Sequence, residues 1–136
     1  MMKNQSLFII VILIGVWGLT GCRQADPREN DARKRLIELQ QAMAAYHHDT
    51  GAYPAEILRL VSDSPDTPVS GWHGPYITED RLDDPWRHPY QIGEIEEVLF
   101  VASMGPNGRP ETSGEDIRHG INRGDDIVLM VPKGRP

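Results

Sequence analysis

Cys22 is the only cysteine among the 136 residues, so no internal disulfide can staple the fold. Positive charge is also scarce. Fourteen Lys and Arg face twenty Asp and Glu for a net charge of −6, and beyond the first 21 residues, where Lys3 is the only charge, the balance is −7. Nucleic acid is therefore not an expected partner, because phosphate binding needs a basic surface. A membrane-length apolar run is missing too. Leu7 to Trp17 is apolar for about eleven residues, against the roughly twenty that a span requires. Catalytic signatures are equally absent. There is no glycine-rich phosphate loop and no HExxH, and Ser103 in VASMG lacks the first glycine of a nucleophile elbow. Adjacent acids such as Asp83 and Asp84, or Asp125 and Asp126, read as turn formers and solvated charge rather than as a hydrolytic pair. The expectation is a protein that is not an enzyme.

What is present begins with a targeting segment. Lys3 supplies a positive start, Leu7 to Trp17 has the length of a secretory apolar region, and Leu19, Thr20, Gly21 and Cys22 resemble the bacterial lipobox. Residues 1–21 are expected to be a lipoprotein signal peptide, with Cys22 as the acylated first residue of the mature chain. That assignment accounts for the single cysteine; an uncleaved transmembrane anchor is the weaker alternative. Acyl chains contribute about 0.8 kcal/mol per buried CH₂, enough for a firm anchor without a spanning helix. Arg23, not Asp, follows the cysteine, which in a Gram-negative source implies the periplasmic face of the outer membrane.

Residues 22–29, polar and containing Pro27, read as a lipidated tether, and residues 30–136 as one small domain. Leu36, Leu39, Met43 and Tyr46 recur at helical spacing, predicting an amphipathic helix from Asp31, capped by Asn30 or Asp31 and ended by Gly51. His47 and His48 are adjacent and diverge by about 100° on a helix, so they are not expected to share a metal. Ala55 to Val61 predicts a short helical turn with Ile57, Leu58, Leu60 and Val61 as core candidates. Tyr90 to Ile92, Val98 to Ala102 and Ile127 to Val131 read as strands, with Gly93 to Glu97 turning between the first two. The fold class expected is α+β, an N-terminal helix packed on a small antiparallel sheet of three to four strands.

The stretch from Gly71 to Tyr90, GWHGPYITEDRLDDPWRHPY, holds Trp72, Tyr76, Trp86 and Tyr90, four of the nine aromatics, interleaved with Gly71, Gly74, Pro75, Pro85 and Pro89. The prolines forbid a regular helix, and the rings carry enough apolar area to pin an irregular loop onto a core. GWHGPY followed by DPWRHPYQI, with Asp84 opening the second motif, resembles the globular domain of type II secretion system protein G, the major pseudopilin family. Arg87 stands where that family usually has glycine, and Ile92 where it usually has an aromatic. The YHHDTGAYP segment is similar to the family as well. The N-terminus departs from it: a lipoprotein signal replaces the prepilin leader and the long apolar helix.

The segment SMGPNGRPETSGEDI resembles the family's calcium-binding loop, S-x-G-x-D-G closed by D-I. The resemblance implies Asn107 at the first Asp position and Asp116 at the closing one, with GDDI, Asp125 and Asp126, as a second closure if RHGINRG is an insertion. Calcium takes six to eight oxygen ligands, which a glycine-rich acidic loop can supply. An Asn-Gly turn in a solvated acidic loop is the alternative.

Two functions follow as expectations. The first is a lipid-anchored structural or interaction module of the cell envelope, acting with protein partners of a secretion or pseudopilus-related assembly. The second is an envelope lipoprotein that binds a small ligand or polysaccharide through Trp72 and Trp86. Buried rings favour the first, a shared exposed groove the second.

Overall fold

The computed structural model describes residues 26–133; the signal segment, Cys22 and Arg23 lie outside the described residues. The domain is built from a long helix α1 (Pro27–Thr50), a hairpin of β1 (Gln91–Ile95) and β2 (Val98–Ser103), a five-residue helix α2 (Gly114–Arg118), and β3 (Ile127–Val131). Among the described residues, no helix is long and apolar enough to cross a membrane.

Helix α1 starts earlier than the apolar periodicity predicts. The Asp26 carboxylate accepts from Arg28 N at 2.9 Å and caps the helix, and Pro27 occupies its first turn. Proline read as a linker breaker is here a helix starter: its missing N–H is one of the unpaired donors of the first turn, and its φ is already helical. Residues assigned to the tether, Pro27 to Glu29, thus belong to the helix. The far end is as expected, with Gly51 at φ 79° in the left-handed position. Leu36, Leu39 and Met43 are fully buried and Tyr46 nearly so, so the spacing identified the inward face correctly.

The sheet has the order β1-β2-β3, antiparallel throughout. Ile95 pairs with Val98, leaving Glu96 and Glu97 as a two-residue turn at φ 47° and 70°. Two positive φ values are the signature of a type I′ turn, whose twist matches that of the strands it joins. The predicted turn from Gly93 was therefore too long; Gly93 to Ile95 are strand, extended by pairing with β2. Leu99 and Val101 on β2 and Ile127 and Val131 on β3 alternate onto one face and bury against α1. The α+β arrangement of one helix on three antiparallel strands matches the expected class.

Between helix and hairpin the chain is irregular but pinned. The turn at Ile57–Leu60 is a short 3-10 helix that buries Leu60 and leaves Leu58 exposed, correcting Leu58 as a core candidate. A 3-10 turn presents only one side to the core. Leu60 O accepts from Tyr76 N at 2.7 Å, and Trp72 Nε1 donates to Arg59 O at 2.8 Å. Tyr90 is 1 % exposed and its hydroxyl reaches Ala32 O on α1. The aromatic stretch is thus the packed connector that its composition implies.

Candidate functional site

The motif residues divide between the two ends of α1. At the C-terminal end, Gly71 takes φ 83° with its Cα against the Asp49 carbonyl, so closely that a Cβ would collide with that oxygen. Tyr76 Oη donates to Asp49 Oδ2 at 3.0 Å and accepts from His73 N at 2.9 Å. The Tyr76 ring meets Tyr46 and Trp72 edge-on at 5.6 and 5.8 Å, and the Trp72 and Tyr76 rings crowd Gly74 so closely that a Cβ there would strike both. His47 stacks on Tyr53 at 4.3 Å and His48 turns to Asp49, so the adjacent histidines diverge as expected.

At the other end, the DPWRHP turn is organised by Asp84, which is 3 % exposed. Its Oδ1 accepts from Trp86 N at 3.0 Å and His88 N at 2.9 Å, and its Oδ2 from the Ser103 hydroxyl at 2.7 Å. Ser103 Oγ in turn accepts from Gly105 N, and His88 Nδ1 meets Gly105 O. Ser103 is therefore a buried brace, with its hydroxyl committed to a carboxylate. Trp86 packs partly on the core under the Arg28 guanidinium, and its Nε1 is buried without a partner. It lines an open cleft of about 430 Å³ with Asp26, Glu29, Arg33, Asp125 and Asp126; Trp72 is not part of it. Trp72 bonds Arg59 O and Trp86 lies under Arg28, so the two rings sit in different surroundings and this cleft is not shared by both.

The 104–126 loop connects β2 to β3, and the two closures that the sequence left open take different roles. EDI folds into α2, where Ser113 and Asp116 form a capping box. GDDI leads into β3 at Ile127. Of the expected ligands, Asn107 meets Asp125 while Asp116 is held by Arg123 and Ser113, and among the described residues there is no group of three or more acidic, His or Cys side chains placed to hold a metal. Most of their side-chain oxygens accept from N–H and O–H donors. Asp116 Oδ1 takes Arg123 Nε and Nη2 at 3.1 and 2.9 Å, and its Oδ2 takes the Ser113 hydroxyl at 2.7 Å. Asp125 receives Asn107 Nδ2 on Oδ1 and Asn107 N on Oδ2. Asn107 Oδ1 accepts from Arg109 N, and Asp126 Oδ2 accepts from both Glu111 N and Thr112 N at 2.7 Å. Asp126 Oδ1 is buried and unpartnered. The Arg123 guanidinium, followed by the Ser113 hydroxyl, holds the Asp116 carboxyl down at about pKa 2.

Arg123 and Glu111 escaped the sequence reading. Arg123 lies in RHGINRG, seven residues from its partner, a separation that carries no periodic signal. Glu111 accepts from Asp125 N, and Gly124, at φ 57°, leaves the room in which the Glu111 carboxylate sits. The S-x-x-D spacing of Ser113 and Asp116 is the local signal of the capping box.

The family model described as type II secretion system (T2SS), protein G matches residues 21–120. The type II secretion system core protein G of Xanthomonas campestris pv. campestris is 32 % identical over 122 residues, covering 85 % of this chain and 84 % of that protein. Among solved structures, the major pseudopilin from the type 2 secretion system of enterohaemorrhagic Escherichia coli superposes with a TM-score of 0.55 at 24 % identity, covering 74 % of this chain and 81 % of that one. The structural likeness bears on the fold.

Proposed function

The chain belongs to the type II secretion system protein G family, whose members are non-enzymatic structural proteins, and on that premise we propose a lipid-anchored structural member of a secretion pseudopilus or an adjoining envelope assembly. Its partners are components of the secretion apparatus, and its place is the cell envelope. In this reading residues 1–21 are removed, Cys22 carries the acyl chains, and Arg23 directs the protein to the periplasmic face of the outer membrane in a two-membrane cell.

The observation that supports the anchor is the start of α1. Asp26 has ψ 124°, outside the helical region, and Pro27 follows it inside the first turn. A proline there has no N–H to give to a preceding turn, and its ring clashes with the carbonyl four residues back. The domain helix therefore begins at Pro27. Cys22 precedes the Asp26 cap by four residues, which reach at most about 14 Å when extended. Acylation at Cys22 would hold the domain close to the bilayer surface, with α1 leading away from it.

The test is expression of the full chain and of Cys22→Ala in a two-membrane bacterium, with labelled palmitate and separation of the membranes on a gradient. Label on the wild type, sedimentation with the outer membrane, and loss of both in Cys22→Ala are expected. Unlabelled wild-type protein that stays in the inner membrane regardless of the substitution would sink the lipid anchor.

A further inference from the structure

We propose that Arg123 is the resident cation of the 104–126 loop: its guanidinium stands at Asp116 in the position that the family resemblance gives to calcium, and the loop keeps its fold without a metal. The proposal rests on how Arg123 is connected. Its Nε and Nη2 both donate to Asp116 Oδ1, its backbone N donates to Thr112 Oγ1 at 3.0 Å, and its carbonyl accepts from Asp126 N at 3.1 Å. One residue thus ties the start of α2, the arm before it and the turn into β3.

The other crossings need no ion either. Asn107 bonds Asp125 through both its backbone and its amide, Glu111 accepts from Asp125 N, and Asp126 Oδ2 gathers Glu111 N and Thr112 N. Each of these links joins the arm leaving β2 to the arm entering β3, which is the work a bound calcium does by drawing carboxylates and carbonyls together. Calcium at Asp116 Oδ1 would have to compete with the guanidinium that already holds that oxygen. Asn107 fits the same account. An amide can donate to Asp125, whereas a carboxylate at that position would repel it and call for a cation between them. Arg123 lies beyond residue 120, where the match to the protein G family model ends, so the family's sequence pattern carries no expectation for it.

Arg123 is 58 % exposed and its partner 17 %, so the pair contributes modestly to global stability and its effect is concentrated in the loop. The experiment therefore reads the loop directly. The full chain in detergent, wild type, Arg123→Gln and Arg123→Lys, is followed by amide hydrogen exchange and by thermal unfolding, each in EDTA and in millimolar Ca²⁺. The expected result is wild-type protection across 104–126 and a wild-type Tm that are the same in both buffers. Arg123→Gln should speed exchange at Arg123, Asp125 and Asp126 about tenfold and lower the Tm by about 2–4 °C, with Arg123→Lys in between. Calcium bound at a hundredfold excess over its Kd would raise the wild-type Tm by roughly ten degrees or more, and that shift would overturn the proposal. So would an Arg123→Gln chain whose loop exchanges like the wild type. If Arg123→Gln does not fold, Asp116→Asn removes the ion pair from the other side and carries the same two readings.

Discussion

The Ser103 hydroxyl donates to Asp84 Oδ2 at 2.7 Å, and both residues are buried, at 0 % and 3 % exposure. This bond joins the DPWRHP turn to the end of β2. Asp84→Ala would strand the Trp86 and His88 amides and the Ser103 hydroxyl at once, and buried donors left unpaired cost about 1–3 kcal/mol each. Urea denaturation of Asp84→Ala should show a loss of about 3–5 kcal/mol. Ser103→Ala should lose about 1–2 kcal/mol. The double variant should cost less than the sum, since the two residues share one bond. Strict additivity would mean that the bond is not formed in solution.

Arg87 occupies φ 69° in an exposed turn position, where its N–H closes onto Asp84 O at 2.9 Å. A side chain in this left-handed region costs about 1–2 kcal/mol, of which a glycine would return part as unfolded-state entropy. Arg87→Gly should therefore stabilise by about 0.5–1 kcal/mol, a Tm rise of about 2–6 °C. A lower Tm would show that the arginine makes a compensating contact. The prediction also explains why the family usually carries glycine at this position.

The parts of the fold legible in the sequence are those with a period. Leu36, Leu39, Met43 and Tyr46 declared the buried face of α1, and the apolar run Val98 to Ala102 declared a strand, though its uniform apolarity did not say that Leu99 and Val101 face α1. The aromatic motifs were legible by type: rings among prolines had to be pinned to something. Boundaries set by single contacts were not. Pro27 looks alike in a tether and in the first turn of a helix, and only the Asp26 cap distinguishes them. In the 104–126 loop each acid was visible, but its choice of partner depends on a chain path that no local pattern encodes. The partner of Asp116, Arg123, is one that no spacing rule points to.

The hairpin turn offers a cleaner test of backbone strain than Arg87. Glu96 and Glu97 both hold positive φ, and Glu96 is tied to Arg118, so Glu97, at φ 70°, is the residue free to change. Type I′ turns favour glycine at this second position. Glu97→Gly should raise stability by about 0.5–1 kcal/mol without disturbing the pairing of Ile95 with Val98. Glu97→Val, with a β-branched side chain forced into the same region, should lower it by more than that gain. Equal melting of the two variants would show that the turn adopts another conformation in solution.

Asp49 gives the acid side of the stability profile. The hydrogen bond to His48, then the one from the Tyr76 hydroxyl, hold its carboxyl below the ordinary carboxylate range; the imidazole of His73, 3.9 Å away, adds to the effect. A folded pKa below the unfolded value of about 3.9 means that the folded state prefers the carboxylate. Its contribution is fully present above the unfolded pKa and is lost as pH falls through the folded one. The wild-type Tm should therefore decline below about pH 4 more steeply than that of Asp49→Asn, which keeps an acceptor for Tyr76 but has no proton to take up. The gap between the two should be widest near neutrality and close in strong acid. Parallel Tm profiles from pH 6 to pH 2 would show that the His48 and Tyr76 contacts are not maintained, and with them the closure of the GWHGPY motif onto the end of α1.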